Sequence, residues 1–266
     1  MLIVAERINA TRKSIREALE RKDERFLIEE ARKQEAAGAH FLDVNAGTEA
    51  KEEVENLPWL VELLQGVVEI PLCLDTANDE ALVQALKVYR KEEVMINSFT
   101  VERARIESVL SLAREYEAFV VGLAMGEGGI PQTSSDRLQL VELLVRAAED
   151  YRIPREKLFI DPLVVPIGAD QRQGQIFLET LKTIKERFPG VRTICGLSNI
   201  SFGMPNRKLL NRAFLTLCVG YGLDAAIIDP LDRELMSILF ASEALMGRDE
   251  FCMNYIAAYR QGRLCL

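Results

Sequence analysis

Histidine is nearly absent from this chain: His40 is the only one in 266 residues. Any mechanism that needs an imidazole base must use it, and it opens an apolar run that reads as a strand, a structural position. The five cysteines, Cys73, Cys195, Cys218, Cys252 and Cys265, are scattered and form no CxxC pair. The usual signals of a zinc site, an iron–sulfur cluster or a disulfide framework are therefore missing, and a reducing, cytoplasmic location is the expectation. No apolar run approaches the roughly 20 residues of a membrane span, so no membrane partner is expected. The apolar start Leu2-Ile3-Val4-Ala5 is cut short by Glu6 and Arg7, too soon for a signal-peptide core. The net charge is −8 with no basic block, which argues against nucleic acid as a partner. No Gly-rich phosphate loop with a lysine and no HxH or ExxH pattern occurs, so no bound metal is expected. No Gly-, Ser- or Pro-rich linker divides the chain, and residues 1–266 read as one domain.

What is there is a regular alternation. Short apolar runs rich in Val and Ile lie at 2–5, 41–45, 72–74, 94–96, 119–124, 158–160, 191–195 and 225–228. Strands covered on both faces have this composition. Helical patterns follow each of them, at 14–20 with 25–37, then 51–67, 79–89, 101–116, 136–151, 175–187, 208–219 and 234–246. A further helix is expected at 249–260. Gly38 is placed as a helix C-cap, and Pro58 predicts a break in the helix 51–67. Eight βα units over this length predict an α/β protein, a (β/α)8 TIM barrel.

In such barrels chemistry gathers where the strands end. Those ends carry Glu6, Asn45, Asp75, Asn97, Asp161, Asn199 and Asp229. A single Asp or Asn after a strand commonly just caps the next helix; seven on one rim ask for a ligand. Asp161-Pro162 and Asp229-Pro230 hold the aspartate backbone extended and aim the carboxylate. Arg7 and Arg207 are the only guanidiniums expected nearby. Ionised carboxylates accept hydrogen bonds only, so the rim suits a planar ligand with several N–H donors, such as an aminopyrimidinone. The chain turns around Gly196-Leu197-Ser198-Asn199-Ile200-Ser201-Phe202-Gly203, where an apolar strand gives way to a polar turn.

Several motifs together resemble the methyltetrahydrofolate:corrinoid protein methyltransferases, whose fold is shared by the folate domain of cobalamin-dependent methionine synthase. They are Glu6-Arg7-Ile8-Asn9, Leu42-Asp43-Val44-Asn45, Cys73-Leu74-Asp75-Thr76, Met95-Ile96-Asn97-Ser98, Ile160-Asp161-Pro162-Leu163, Gly196-Leu197-Ser198-Asn199, Asn206-Arg207 and Gly222-Leu223-Asp224-Ala225-Ala226. The resemblance covers essentially the whole chain. It implies that Asp75, Asn97 and Asp161 hold a pterin ring and that Asn199 reaches its N5. It further implies that Gly196, Ser198 and Arg207 line the same pocket, flanked by Glu6 and Asn9. It implies methyltetrahydrofolate or tetrahydrofolate as substrate, a corrinoid carried by a partner protein, and a homodimer. Phe202 and Gly126 depart from the enzymes that serve the corrinoid iron–sulfur protein, which commonly have Gln and Asn there.

The implied reaction moves a methyl group between N5 and cobalt. The leaving amine needs a proton or a hydrogen bond that strengthens as charge develops. Asn199 suits the second role, and water on Asp161 or Asp75 suits the first. Two alternatives stand beside this reading: a dihydropteroate synthase-like pterin enzyme and a non-catalytic folate-binding barrel. The first needs an anion site and a Thr-Pro-Asp-Ser-Phe loop where this chain has Asn9-Ala10-Thr11-Arg12. The second sits poorly with an intact Asn199.

Overall fold

Strand β1 (Leu2–Asn9) lies between β2 (Phe41–Asn45) and β8 (Ala225–Ile228), and from β2 the sheet continues through β3 (Leu72–Asp75), β4 (Val94–Phe99), β5 (Phe119–Leu123), β6 (Leu158–Asp161) and β7 (Arg192–Thr193). Every pairing is parallel. The computed structural model describes residues 1–47 and 50–265. The barrel closes between β7 and β8 through a parallel bridge of Gly196 with Ile227, and the Ile227 N–H donates to the Cys195 carbonyl at 2.9 Å. The sheet is thus an eight-stranded (β/α)8 barrel.

Helices α1 (Lys13–Arg21), α2 (Glu24–Ala36), α3 (Ala50–Gln65), α4 (Asp79–Val88), α5 (Arg103–Glu115), α6 (Ser134–Asp150), α7 (Gln173–Arg187), α8 (Arg207–Gly220) and α9 (Arg233–Leu245) surround it, and α10 (Met253–Arg260) comes last. Parallel strands need such crossovers, and helices on the outside cover the outer face of the sheet. Side chains alternate along each strand. One set, including Leu42, Leu74, Ile96 and Ile160, packs outward against helix residues such as Leu27, Leu60, Leu82 and Leu144. The other fills the lumen: Val4, Phe41, Cys73, Met95, Val121, Phe159, Ile194 and Ala225 form one buried layer, drawn from seven strands and from the residue that follows β7. Phe41 and Phe119 meet edge to face at 5.7 Å in that layer.

Four local features differ from expectation. β1 runs to Asn9 rather than stopping at residue 5, because its polar end still pairs with β2. α3 runs through Pro58 without a break. Proline removes one N–H and crowds one turn, but Leu57, Leu60, Val61 and Leu64 on both sides of it are fully buried and hold the helix together. β7 has only two residues, and within it the Asp224 carboxylate accepts the Thr193 N–H at 2.7 Å and its hydroxyl at 2.8 Å. The final helix is split, with Phe251 and Cys252 at positive φ before α10. Gly38 succeeds α2 at φ +98°, as expected of a C-terminal cap, and His40 is structural: its Nδ1 accepts the Ile3 N–H at 3.1 Å.

Candidate functional site

The polar rim arises from the same alternation as the apolar layer. One pleat step above Phe41 on the lumen side lies Asp43, and above that Asn45; Asp75 stands above Cys73, Asn97 above Met95, Asp161 above Phe159, and Asp229 above Ala225 and Ile227. On β1 the step above Val4 is Glu6. The register then shifts: Ala5 pairs with Leu42 but Ile8 pairs with Val44, so Glu6 and Arg7 together oppose the single residue Asp43. Such a bulge reverses the facing of the strand residues beyond it. Ile8 turns outward into the helix-side core, and Asn9 turns toward the lumen beside Asn45. Glu6 and Asn9 therefore face one lumen although they are three residues apart. Asn9 is held locally, its Oδ1 accepting the Thr11 N–H at 3.0 Å and the Thr11 hydroxyl at 2.6 Å.

The rim residues bond to one another and to nearby turns. Asn45 Nδ2 donates to Asp75 Oδ2 at 3.0 Å across β2 and β3. Asp161 Oδ1 accepts the Leu163 N–H at 2.7 Å, and the Gly196 N–H also reaches the Asp161 carboxylate. None of the seven strand-end residues caps a helix whose cap is described. Side-chain caps come instead from Asp23, Asn78, Thr133 and Asp232. Asn199 lies in a 3-10 turn, Leu197–Ser201, well before α8 opens at Arg207. Gly196 shares the lumen facing of its bridge partner Ile227, and a Cβ on Gly196 would stand 3.4 Å from Asn199 Nδ2. The Asn199 amide thus hangs over the lumen mouth, above a glycine that leaves room for it. Asn199 is exposed, whereas Asn97 and Asp161 are buried.

Burial dominates the electrostatics. The Asp161 carboxyl is pushed up to about 7 by desolvation, against the Leu163 and Gly196 N–H groups and the Arg137 charge that favour ionisation. Glu6 is likewise raised to about 7, by burial and then by the Asp229 charge; Arg12, the Ser198 hydroxyl and Arg207 act in the opposite sense. Asp43 is held well above the usual carboxylate range by burial and by Asp75, and Asp75 is itself raised by burial. Asp43 Oδ1 is buried with no hydrogen-bond partner among the described residues, an open acceptor on the lumen face.

Arg137 is fully buried behind this arc. Its guanidinium donates to the carbonyls of Pro131 at 2.9 Å, Pro162 at 3.0 Å and Leu163 at 2.7 Å, and to Gln173 Oε1 at 2.7 Å. It clamps the turn Asp161-Pro162-Leu163, in which Leu163 takes φ +67°.

Across the barrel opens a cleft of about 410 Å³, lined among others by Glu6, Arg7, Arg12, Ser198, Arg207, Lys208, Asn211 and Asp229. The Ser198 hydroxyl donates to Glu6 Oε2 at 3.5 Å, and Arg207 Nη2 donates to the Ser198 carbonyl at 2.7 Å. Two groups of the sequence-selected residues therefore emerge: Asp75, Asn97 and Asp161 on the β3–β6 arc, and Glu6, Ser198 and Arg207 in the cleft beside β8 and β1, with Asn199 between. Arg7 and Arg207 are not the only cations here, because Arg12, just before α1, and Lys208 of α8 reach the same cleft. Sequence reasoning also passed over Asp43 and Arg137. Asp43 had a signal: a charge inside an apolar strand, two residues before Asn45. Arg137 had none, since an arginine on a helix normally reads as solvated.

Residues 5–229 match the family of pterin binding enzymes. The methylcorrinoid:tetrahydrofolate methyltransferase of Eubacterium limosum is 34% identical over 266 residues, spanning 99% of this chain and 98% of that protein. The methionine synthase of Mycobacterium tuberculosis is 31% identical over 241 residues, 86% of this chain but only 20% of that larger protein. Among solved structures, the dihydropteroate synthase of Xanthomonas albilineans in complex with 7,8-dihydropteroate superposes with a TM-score of 0.66 over 92% of both chains at 18% identity, a likeness of fold alone. The chain belongs to the pterin-binding enzyme family, and within it to the methyltransferases.

Proposed function

We propose that this enzyme transfers a methyl group between N5 of a folate and the cobalt of a corrinoid carried by a partner protein, with the pterin seated on the C-terminal rim of the barrel. The observation that carries the proposal is the lumen-facing set Asp75, Asn97 and Asp161 with the Asn199 amide at the lumen mouth, in a chain similar end to end to a methylcorrinoid:tetrahydrofolate methyltransferase.

In this reading Asp75 and Asp161 accept from the amine and lactam N–H groups of the pterin, and Asn97 reads the remaining edge. Asn199 bonds to N5, and Gly196, Ser198, Arg207, Glu6 and Asn9 complete the pocket. Toward folate, the N5 lone pair forms the new N–C bond, the electron pair of the cobalt–carbon bond stays on cobalt, and N5 sheds a proton. In the reverse direction N5 must gain one. Asp161 and Glu6, both titrating near pH 7, are suited to exchange that proton under neutral conditions. The corrinoid is a co-substrate delivered on its own protein, and its cobalt supplies the nucleophile or the leaving group.

The barrel rim is the face that meets the corrinoid protein in this reading, and the enzyme works as a homodimer. Exposed apolar side chains near the C-terminus, Leu245 at 85% and Phe251 at 83%, support a partnered surface. No helix among the described residues is long and apolar enough to cross a membrane, and five free cysteines are consistent with a cytoplasmic setting. The test is turnover: methyltetrahydrofolate with cob(I)alamin, and tetrahydrofolate with methylcobalamin. Transfer in either direction is the expected result. Pterin binding without transfer would return the chain to a folate-binding barrel, and light scattering at monomer mass would remove the dimer.

A further inference from the structure

Strand β3 ends at Asp75, and its ladder with β4 ends at the pair of Asp75 with Asn97. One further backbone bond follows, from the Thr76 N–H to the Asn97 carbonyl at 3.0 Å. Beyond it no ladder joins the two strands, and a guanidinium takes over. Arg105, in the first turn of α5, donates through Nη2 to the Thr76 carbonyl at 3.2 Å and to the Ser98 carbonyl. Its Nη1 donates to the Ala77 carbonyl at 3.3 Å and to the Asp79 carboxylate. Thr76 follows Asp75 and Ser98 follows Asn97. One planar fork therefore grips the backbone one residue past each of these two lumen-facing side chains. The Arg105 side chain is only 14% exposed, which shields these bonds from water and salt. On the other flank Glu53 Oε1 accepts the Thr76 hydroxyl at 2.7 Å, so the Asp75 turn is held from both sides.

Resting on the pterin reading above, we infer that Arg105 is a positioning residue for the pterin edge, which sets the spacing of Asp75 and Asn97 through the backbone behind them. Two side chains read one rigid planar edge only when their separation matches that of the ligand groups, and hydrogen bonds weaken steeply with misalignment. Asp75 and Asn97 stand on neighbouring strands at the level where the pairing of those strands stops, so the sheet alone fixes their separation from one side only. A lysine cannot replace this arginine: its single ammonium does not span acceptors that lie on two different turns, as the guanidinium fork does. Arg137 does the equivalent work for Asp161, donating to the Pro162 and Leu163 carbonyls. The ring edge is thus met by two separately braced halves, Asp75 with Asn97 on Arg105, and Asp161 on Arg137.

The experiment is an equilibrium titration of methyltetrahydrofolate against Arg105→Ala, alone and combined with substitutions on the arc. Alone, it should lower affinity about tenfold, the worth of roughly one charge-assisted hydrogen bond at the ring edge. Added to Asn97→Ala or to Asp75→Asn, the further fall should shrink to about threefold, because part of what Arg105 positions is gone. Added to Asp161→Asn it should stay about tenfold, because Arg137 holds that turn. At saturating folate the single-turnover rate to cob(I)alamin should stay within about twofold of wild type, since ring-edge contacts serve ground state and transition state alike. Arg105→Lys keeps the charge and loses the fork, and it repeats the series if the alanine variant does not fold. Equal falls in every background mean a general loss of structure and overturn the positioning role, as does unaltered affinity in both Arg105 variants. Wild-type affinity in Asp75→Asn and in Asn97→Ala by themselves overturns the pterin reading and the positioning role with it, so the two failures are told apart.

Discussion

The Ser198 hydroxyl donates to Glu6 Oε2 across 192 residues of sequence, joining β1 to the turn that carries Asn199. Glu6 titrates near 7 rather than at its ordinary 4.5. In the folded state it binds a proton that the unfolded chain has released between about pH 4.5 and 7, so its contribution to stability is full below that window and is lost as pH rises through it. Glu6→Gln should flatten this fall, measured as melting temperature from pH 4.5 to 8. It should also slow methyl transfer by about 10²-fold and remove an inflection near pH 7 from the single-turnover profile. A profile identical to wild type would take Glu6 out of the proton path.

Asn199→Ala should lower the single-turnover rate to cob(I)alamin by about 10² to 10³ while changing methyltetrahydrofolate affinity little. On the proposed reading the amide tightens on N5 as positive charge grows there, an effect of the transition state. Helix capping offers no competing account, because α8 begins eight residues later. A loss confined to affinity would move Asn199 from the reacting atom to the ring edge.

Asp161→Asn should weaken methyltetrahydrofolate binding by about 1–3 kcal/mol, because the amide replaces an acceptor with a donor facing a ligand N–H. The raised carboxyl sets the sign of the pH dependence. Ionised Asp161 is the better acceptor, so wild-type affinity should climb as pH passes through about 7, and the asparagine variant should lack that climb. Isothermal titration at pH 6 and pH 8 reads both effects.

Arg137→Lys should destabilise the protein by about 3 kcal/mol or more. One ammonium does not reproduce the planar fork that serves Pro131, Pro162, Leu163 and Gln173, and buried acceptors are left without donors. Chemical denaturation measures the loss. In the folded fraction, folate affinity should drop as well, because the clamped turn sets the direction of the Asp161 carboxylate. Undiminished affinity would limit Arg137 to stability.

Much of this was legible in the sequence because strand and helix periods are local. Eight β-branched runs, each with a helical pattern after it, specify a barrel by short-range physics and by the rule that parallel strands need crossovers. The end of each apolar run marked where a rim would form, so Asn45, Asp75, Asn97, Asp161 and Asp229 were visible as a set. Tertiary structure decided which of them work together. The β1 bulge, which turns both Glu6 and Asn9 to the lumen, exists only in pairing with β2. Proline at 58 was outvoted by leucines buried on either side of it. The raised Glu6 and Asp161 carboxyls come from neighbours on other strands and helices. Arg12 and Lys208 lie 196 residues apart, and only closure of the ring between β7, β8 and β1 brings both to one cleft. Charge and burial at such a site are sums over groups distant in sequence, which no local pattern contains.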